Sequence, residues 1–190
     1  MTSVHHVRWM VLIVVAVFST DHDYSQQMKC FKDSETLRSC CHLDTISFPY
    51  SDECEESFER LENSTGKYRK MNATAEHLLC IFKAKHIIKH KSCNVSENHL
   101  MTAVKEKYAQ TDYNEAAILA VDECVNYIGE LKTRLNRSGD ETCYYLPFAL
   151  NFCITRHIAD NCPESKWSNS EHCDNTKSNA TLYKDCLRKW

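Results

Sequence analysis

The chain has 190 residues, with 23 lysines and arginines against 26 aspartates and glutamates and a formal charge of −3 at pH 7. No basic cluster is dense enough for a nucleic-acid interface. The closest candidate, Lys83, Lys85, Lys89 and Lys91, alternates with Ile87 and Ile88 and reads as the solvated face of a helix.

Residues Trp9 to Phe18 form a ten-residue apolar stretch, preceded by Arg8 and followed by the small residues Ser19 and Thr20. This is the pattern of a secretory signal cleaved after Ser19. Ten residues rise only about 15 Å as a helix, about half the hydrocarbon thickness of a bilayer. No membrane span is expected there or later. Without residues 1–19 the chain carries 22 basic and 26 acidic residues, and its remaining 171 residues suit one domain.

The twelve cysteines, Cys30, Cys40, Cys41, Cys54, Cys80, Cys93, Cys124, Cys143, Cys153, Cys162, Cys173 and Cys186, all follow that leader. An even count in a secreted chain implies six disulfides, each contributing about 2 to 4 kcal/mol. Zinc is the competing use, but no Cys-x2-Cys pair occurs. Cys40 and Cys41 are adjacent, and a bond between neighbours is strained, so each is expected to tie a different partner.

Three glycines and no alternating apolar and polar runs argue against a β protein. An all-α fold of six or seven helices is expected. Asp52 is placed to cap a short acidic helix through Leu61. Asn72 or Thr74 is placed to cap a longer one through about Lys91, presenting Leu78, Ile81, Phe82 and Ile88. Ser96 or Asn98 begins a helix carrying Leu100, Met101, Val104 and Tyr108. Asp112 begins the longest, in which Ala117, Val121, Cys124, Ile128, Leu131 and Leu135 step by alternating fours and threes, an amphipathic stripe. Ser178 or Asn179 is placed to cap a last helix through Leu187.

The densest apolar run lies between Cys143 and Cys153, and a central helix is expected over 143–158. Tyr144, Phe148 and Phe152 recur every four residues and share one face, with Tyr145 and Ala149 beside them. A segment apolar nearly all round must be enclosed by other elements. The chain thus reads as a shell about one aromatic helix.

Catalytic patterns are weak. There is no Gly-x-Ser-x-Gly turn, no phosphate-cradling glycine loop, and the cysteines are committed to bridges, so no catalytic residue is assigned. His86 and His90 have the spacing of two metal ligands on a helix, but Lys85, Lys89 and Lys91 crowd them with positive charge. No metal or other cofactor is expected. Five Asn-x-Ser/Thr sequons, at Asn63, Asn72, Asn94, Asn136 and Asn179, are candidate glycosylation sites and should be exposed.

The run Cys-x9-Cys-x8-Cys-Pro-x9-Cys, Cys143 to Cys173, resembles the C-terminal signature of the Plus-C insect odorant-binding proteins. Cys153 and Cys162 match the last two core cysteines of that family, and Pro163, Cys173 and Cys186 match the marks of the subclass. The 43 residues between Cys80 and Cys124 and the 18 between Cys124 and Cys143 agree as well. The resemblance implies a helical domain over 20–162 enclosing a hydrophobic cavity, with 163–190 an extension packed on it. It also implies bridges Cys54–Cys80 and Cys124–Cys162, and leaves the partner of Cys153 open, with Cys93 one candidate. One departure stands out. The family carries Cys-x3-Cys where this chain has Cys80 alone, so either Glu76 or Ala84 occupies the place of a missing cysteine.

The implied function is carriage of small hydrophobic molecules, odorants or pheromones, in extracellular chemosensory fluid. The candidate cavity wall is Phe82, Ile88, Leu100, Val104, Val121, Tyr145, Phe148, Ala149 and Phe152. A chemosensory receptor and a second copy of the chain are candidate partners. The competing readings are a secreted seminal or salivary interaction protein on the same scaffold, and a secreted hydrolase. Eight histidines follow the leader, and His157, beside Arg156, is the candidate for pH-dependent release, with the neighbouring cation expected to oppose its protonation.

Overall fold

The structure is a computed structural model that describes residues 29–30, 32–44, 54–56, 59, 69–89, 94–135, 139–180 and 185, with the side chains of 69–72 and 130–145 not described. Among the described residues the fold is all-α. Helix α1 covers 32–40, α2 Arg69–Ala84, α3 Glu97–Tyr108, α4 Asn114–Leu135, α5 Gly139–Asp160 and α6 Glu171–Asn179. A helical turn at 54–56 and a 3₁₀ turn at Glu164–Lys166 complete it. The leader expected over 1–19 lies outside the described residues. No helix among those described is long and apolar enough to cross a membrane.

Helix α5 contains the whole expected central segment and packs against both α2 and α4, while α3 packs on α4. Leu146, Phe148, Ala149, Leu150, Phe152, Cys153, Ile154, Ile158 and Ala159 are all buried, so the helix is apolar on nearly every side because it has neighbours on nearly every side. The stripe expected on α4 is buried at Ala117, Ala120, Val121, Cys124 and Ile128. Its later members, Leu131 and Leu135, fall among the side chains not described.

Several boundaries differ from expectation. Helix α2 begins before Asn72 and Thr74, which lie inside it, and stops at Ala84 rather than near Lys91. The stop is made by His86, whose φ of 56° is left-handed. Around it the Ile87 amide donates to the Phe82 carbonyl at 2.8 Å and the His86 amide to Lys83 at 3.0 Å, which satisfies carbonyls the helix would leave open. The chain then doubles back, pairing Ile88 with Val95 in an isolated antiparallel bridge. Ile88 is therefore buried from a tight reversal and not from a helix face. His86 is off the helix too, and His90, weighed with it as a metal ligand, lies outside the described residues.

Helix α1, not anticipated from sequence, ends in the same way. His42 has φ 48°, and the Leu43 amide donates to Arg38 at 3.0 Å. Ser96 occupies the N-cap of α3 as expected, but its hydroxyl meets His99 Nδ1 at 2.9 Å instead of a backbone amide. Asp112 lies in the turn before α4, where its carboxylate accepts from Ser165 Oγ at 3.1 Å and faces Lys166 Nζ at 3.4 Å. Ser178 and Asn179 lie in the last turn of α6, a helix not anticipated, and the helix expected through Leu187 falls outside the described residues except for Asp185, which is helical. The cap of α6 is Ser170, whose hydroxyl accepts from the Cys173 amide at 3.2 Å, with Glu171 and Asp174 in the first turn.

Four disulfides join the described elements: Cys40–Cys173, Cys41–Cys162, Cys54–Cys80 and Cys124–Cys153. Cys30 is also disulfide-bonded, and no described cysteine is free. Adjacent Cys40 and Cys41 hold two different partners. Cys54–Cys80 is one of the pairs the resemblance implies. The implied Cys124–Cys162 bridge is not formed, nor does Cys153 pair with Cys93. Helices α4 and α5 run in contact, so Cys124 meets Cys153 within that interface, and Cys162, beyond the end of α5, reaches Cys41 at the end of α1 instead.

Candidate ligand-binding site

Eight of the nine candidate wall residues fall in one buried apolar cluster: Phe82, Ile88, Leu100, Val104, Val121, Phe148, Ala149 and Phe152. They arrive from α2, the reversal after it, α3, α4 and α5, so every main helix around α5 contributes. Tyr145 is among the side chains not described. The cluster is continuous with Ile81, Ile87, Tyr108, Ala117, Leu150 and Ile154.

Polar groups enter this apolar setting at few places, and each behaves differently. Tyr113 hydroxyl donates to the Cys41 carbonyl at 2.7 Å and lies 3.2 Å from that of His42, tying the start of α4 to the end of α1. Tyr108 stacks edge-on against it, with ring centroids 6.3 Å apart, yet its own hydroxyl is buried without a hydrogen-bond partner. Burial pushes the Tyr108 phenol far above the ordinary tyrosine range, reinforced by the Asp44 carboxylate and by Tyr113. Burial also raises Tyr113, with Asp112 and Asp44 adding to the effect.

Arg156 is 2% exposed, an unusual place for a guanidinium. Its Nε donates to Asp160 Oδ1 at 2.9 Å and its Nη1 to Ser34 Oγ at 3.3 Å, so the charge is paired and bonded. The charged group facing His157 Nε2 is the carboxylate of Glu123, at 3.4 Å, while Asn161 Nδ2 lies 3.4 Å from Nδ1.

Two further polar groups escaped the sequence reading. Asn151 Oδ1 and Thr155 Oγ1, one turn apart on α5, are enclosed and have no hydrogen-bond partner. As isolated letters in an apolar run they carry no signal; only the i, i+4 spacing on the Phe148 and Phe152 face could have singled them out.

Among the described residues no three His, Cys, Asp or Glu side chains gather as a metal site would require. Of the sequons, Asn94 and Asn179 are exposed, Asn72 is inside α2, and Asn63 and Asn136 lie outside the described residues. Asn179 Nδ2 donates to the Asn175 carbonyl at 2.9 Å.

Compared with known protein families, curated proteins and solved structures, the chain matches no family model, no curated relative and no solved structure.

Proposed function

We propose that the protein is a secreted, non-catalytic carrier that binds small hydrophobic molecules, with odorants and pheromones the class implied by the resemblance of its cysteine pattern. The observation that carries the reading is the convergence of Phe82, Val104, Val121, Phe148 and Phe152 from four helices onto one apolar, disulfide-framed cluster around α5. Aromatic faces pack against apolar ligands, and an apolar wall with few polar groups is the common make-up of a small-molecule site. Bridges on both sides of the cluster let a helical shell hold its shape whether or not it is filled. The leader over 1–19 and the dense cysteine use supply the extracellular setting.

The test is displacement of a fluorescent apolar probe from the chain produced through a secretory route with its disulfides formed. Dissociation constants of about 1 μM are expected for at least one class of apolar ligand. No binding across alcohols, aldehydes, esters and fatty acids would overturn the reading.

A further inference from the structure

We propose that Asn151 and Thr155 form a hydroxyl-recognising subsite, so that the cargo of this protein is an apolar alcohol; this rests on the carrier reading above and names the chemistry of its ligand. From Leu146 to Ala159 every side chain of α5 is buried except these two. At about 100° of rotation per residue, positions 148, 151, 152 and 155 fall within an arc of about 100°. The seam of accessible surface on the central helix is thus bordered along one side by Phe148 and Phe152. Within it, Asn151 Oδ1 and Thr155 Oγ1 are themselves enclosed and unpartnered.

Native proteins hold few buried polar atoms without partners, because each forfeits its hydrogen bond to water and gains nothing in return. Two on successive turns of one helix, set beside phenylalanines, are what an apolar site with a fixed polar anchor requires. The donor and acceptor capacities select the ligand. An amide oxygen only accepts, whereas a threonine hydroxyl can donate. One alcohol group answers both, donating to Asn151 Oδ1 and accepting from Thr155 Oγ1. An ether, aldehyde or ester accepts from Thr155 but has no proton for Asn151, and a hydrocarbon satisfies neither. A trapped water would satisfy both atoms as well, and the experiment separates that case.

Displacement of N-phenyl-1-naphthylamine by decanol, decyl methyl ether and decane is measured on the intact, oxidised chain. Decanol is expected to bind about tenfold more tightly than the ether or the alkane. In Asn151→Leu and Thr155→Val that preference should fall to about one, and Thr155→Ser should retain it. Helical circular dichroism matched to the parent confirms that the variants fold, and the parent's alcohol-to-ether ratio tests the subsite without any variant. A parent that binds the probe but shows no preference holds a bound water alone, and the subsite is overturned. A preference that survives in both variants overturns the assignment to these residues. A parent that binds neither probe nor ligands overturns the carrier reading, and the subsite with it.

Discussion

Two tyrosines 6.3 Å apart show how much the surroundings of one hydroxyl can matter. Tyr113 donates its proton to the Cys41 carbonyl, while Tyr108 keeps a buried hydroxyl with no partner. Both phenols are held above their ordinary range, chiefly by burial, so the folded state retains protons that the unfolded chain releases near pH 10. Their contribution to stability is therefore complete below about pH 10 and is lost as the pH rises beyond it. A urea midpoint that falls above about pH 10, with at least two of the nine tyrosines ionising late in the phenolate absorbance, is the expected result. Ionisation of all nine in a single step near pH 10 would count against it. Arg156 is the residue whose burial was least legible in the sequence. It interrupts an apolar run and reads as a solvent contact, yet Asp160 at i+4 is the partner that lets it stay inside.

Periodicity placed α3 and α4 well, because their stripes are built of Leu, Val, Ile and Ala, whose place is inside. It missed α1, where Cys30, Ser34, Leu37 and Cys41 carry the stripe. Cysteines read as bridge ends hide their role as core residues. Both errors at helix ends have one cause, the use of histidine where glycine is the usual signal. A left-handed backbone crowds any side chain with a Cβ, so the stop at residue 86 is maintained by packing against conformational preference. His86→Gly should relieve that strain and stabilise the fold by about 1 kcal/mol, read as a higher urea midpoint, whereas His86→Val should lower it. Equal midpoints for all three would show that the turn is not strained. Helix α6 was missed for a simpler reason: apart from Cys173 it buries no side chain, so no apolar stripe marks it in the sequence.

At the scale of the molecule, the all-α class and the apolar candidate wall could be read from residue types and spacing. The bridges could not, because pairing depends on which helices touch. Cys124 and Cys162 are 38 positions apart in a pattern that the resemblance links, but the α4 and α5 interface gives Cys124 a nearer partner in Cys153. The polar seam on α5 was invisible for a related reason, since Asn151 and Thr155 acquire meaning only once their neighbours are shown to be buried. The adjacent pair at residues 40 and 41 has a mechanical consequence. Tension applied to the two ends of the chain meets a covalent short cut from Cys40 to Cys173, so the segment between them, a separation of 133 residues, cannot be drawn out to its full length while that bond holds. Stretched in a single-molecule instrument, the oxidised chain should reach a contour length shorter than the reduced chain by at least about 450 Å, at about 3.4 Å per shielded residue. Adding a reductant under load should release that length abruptly, and a chain that extends fully without one would show that the Cys40–Cys173 link is not there.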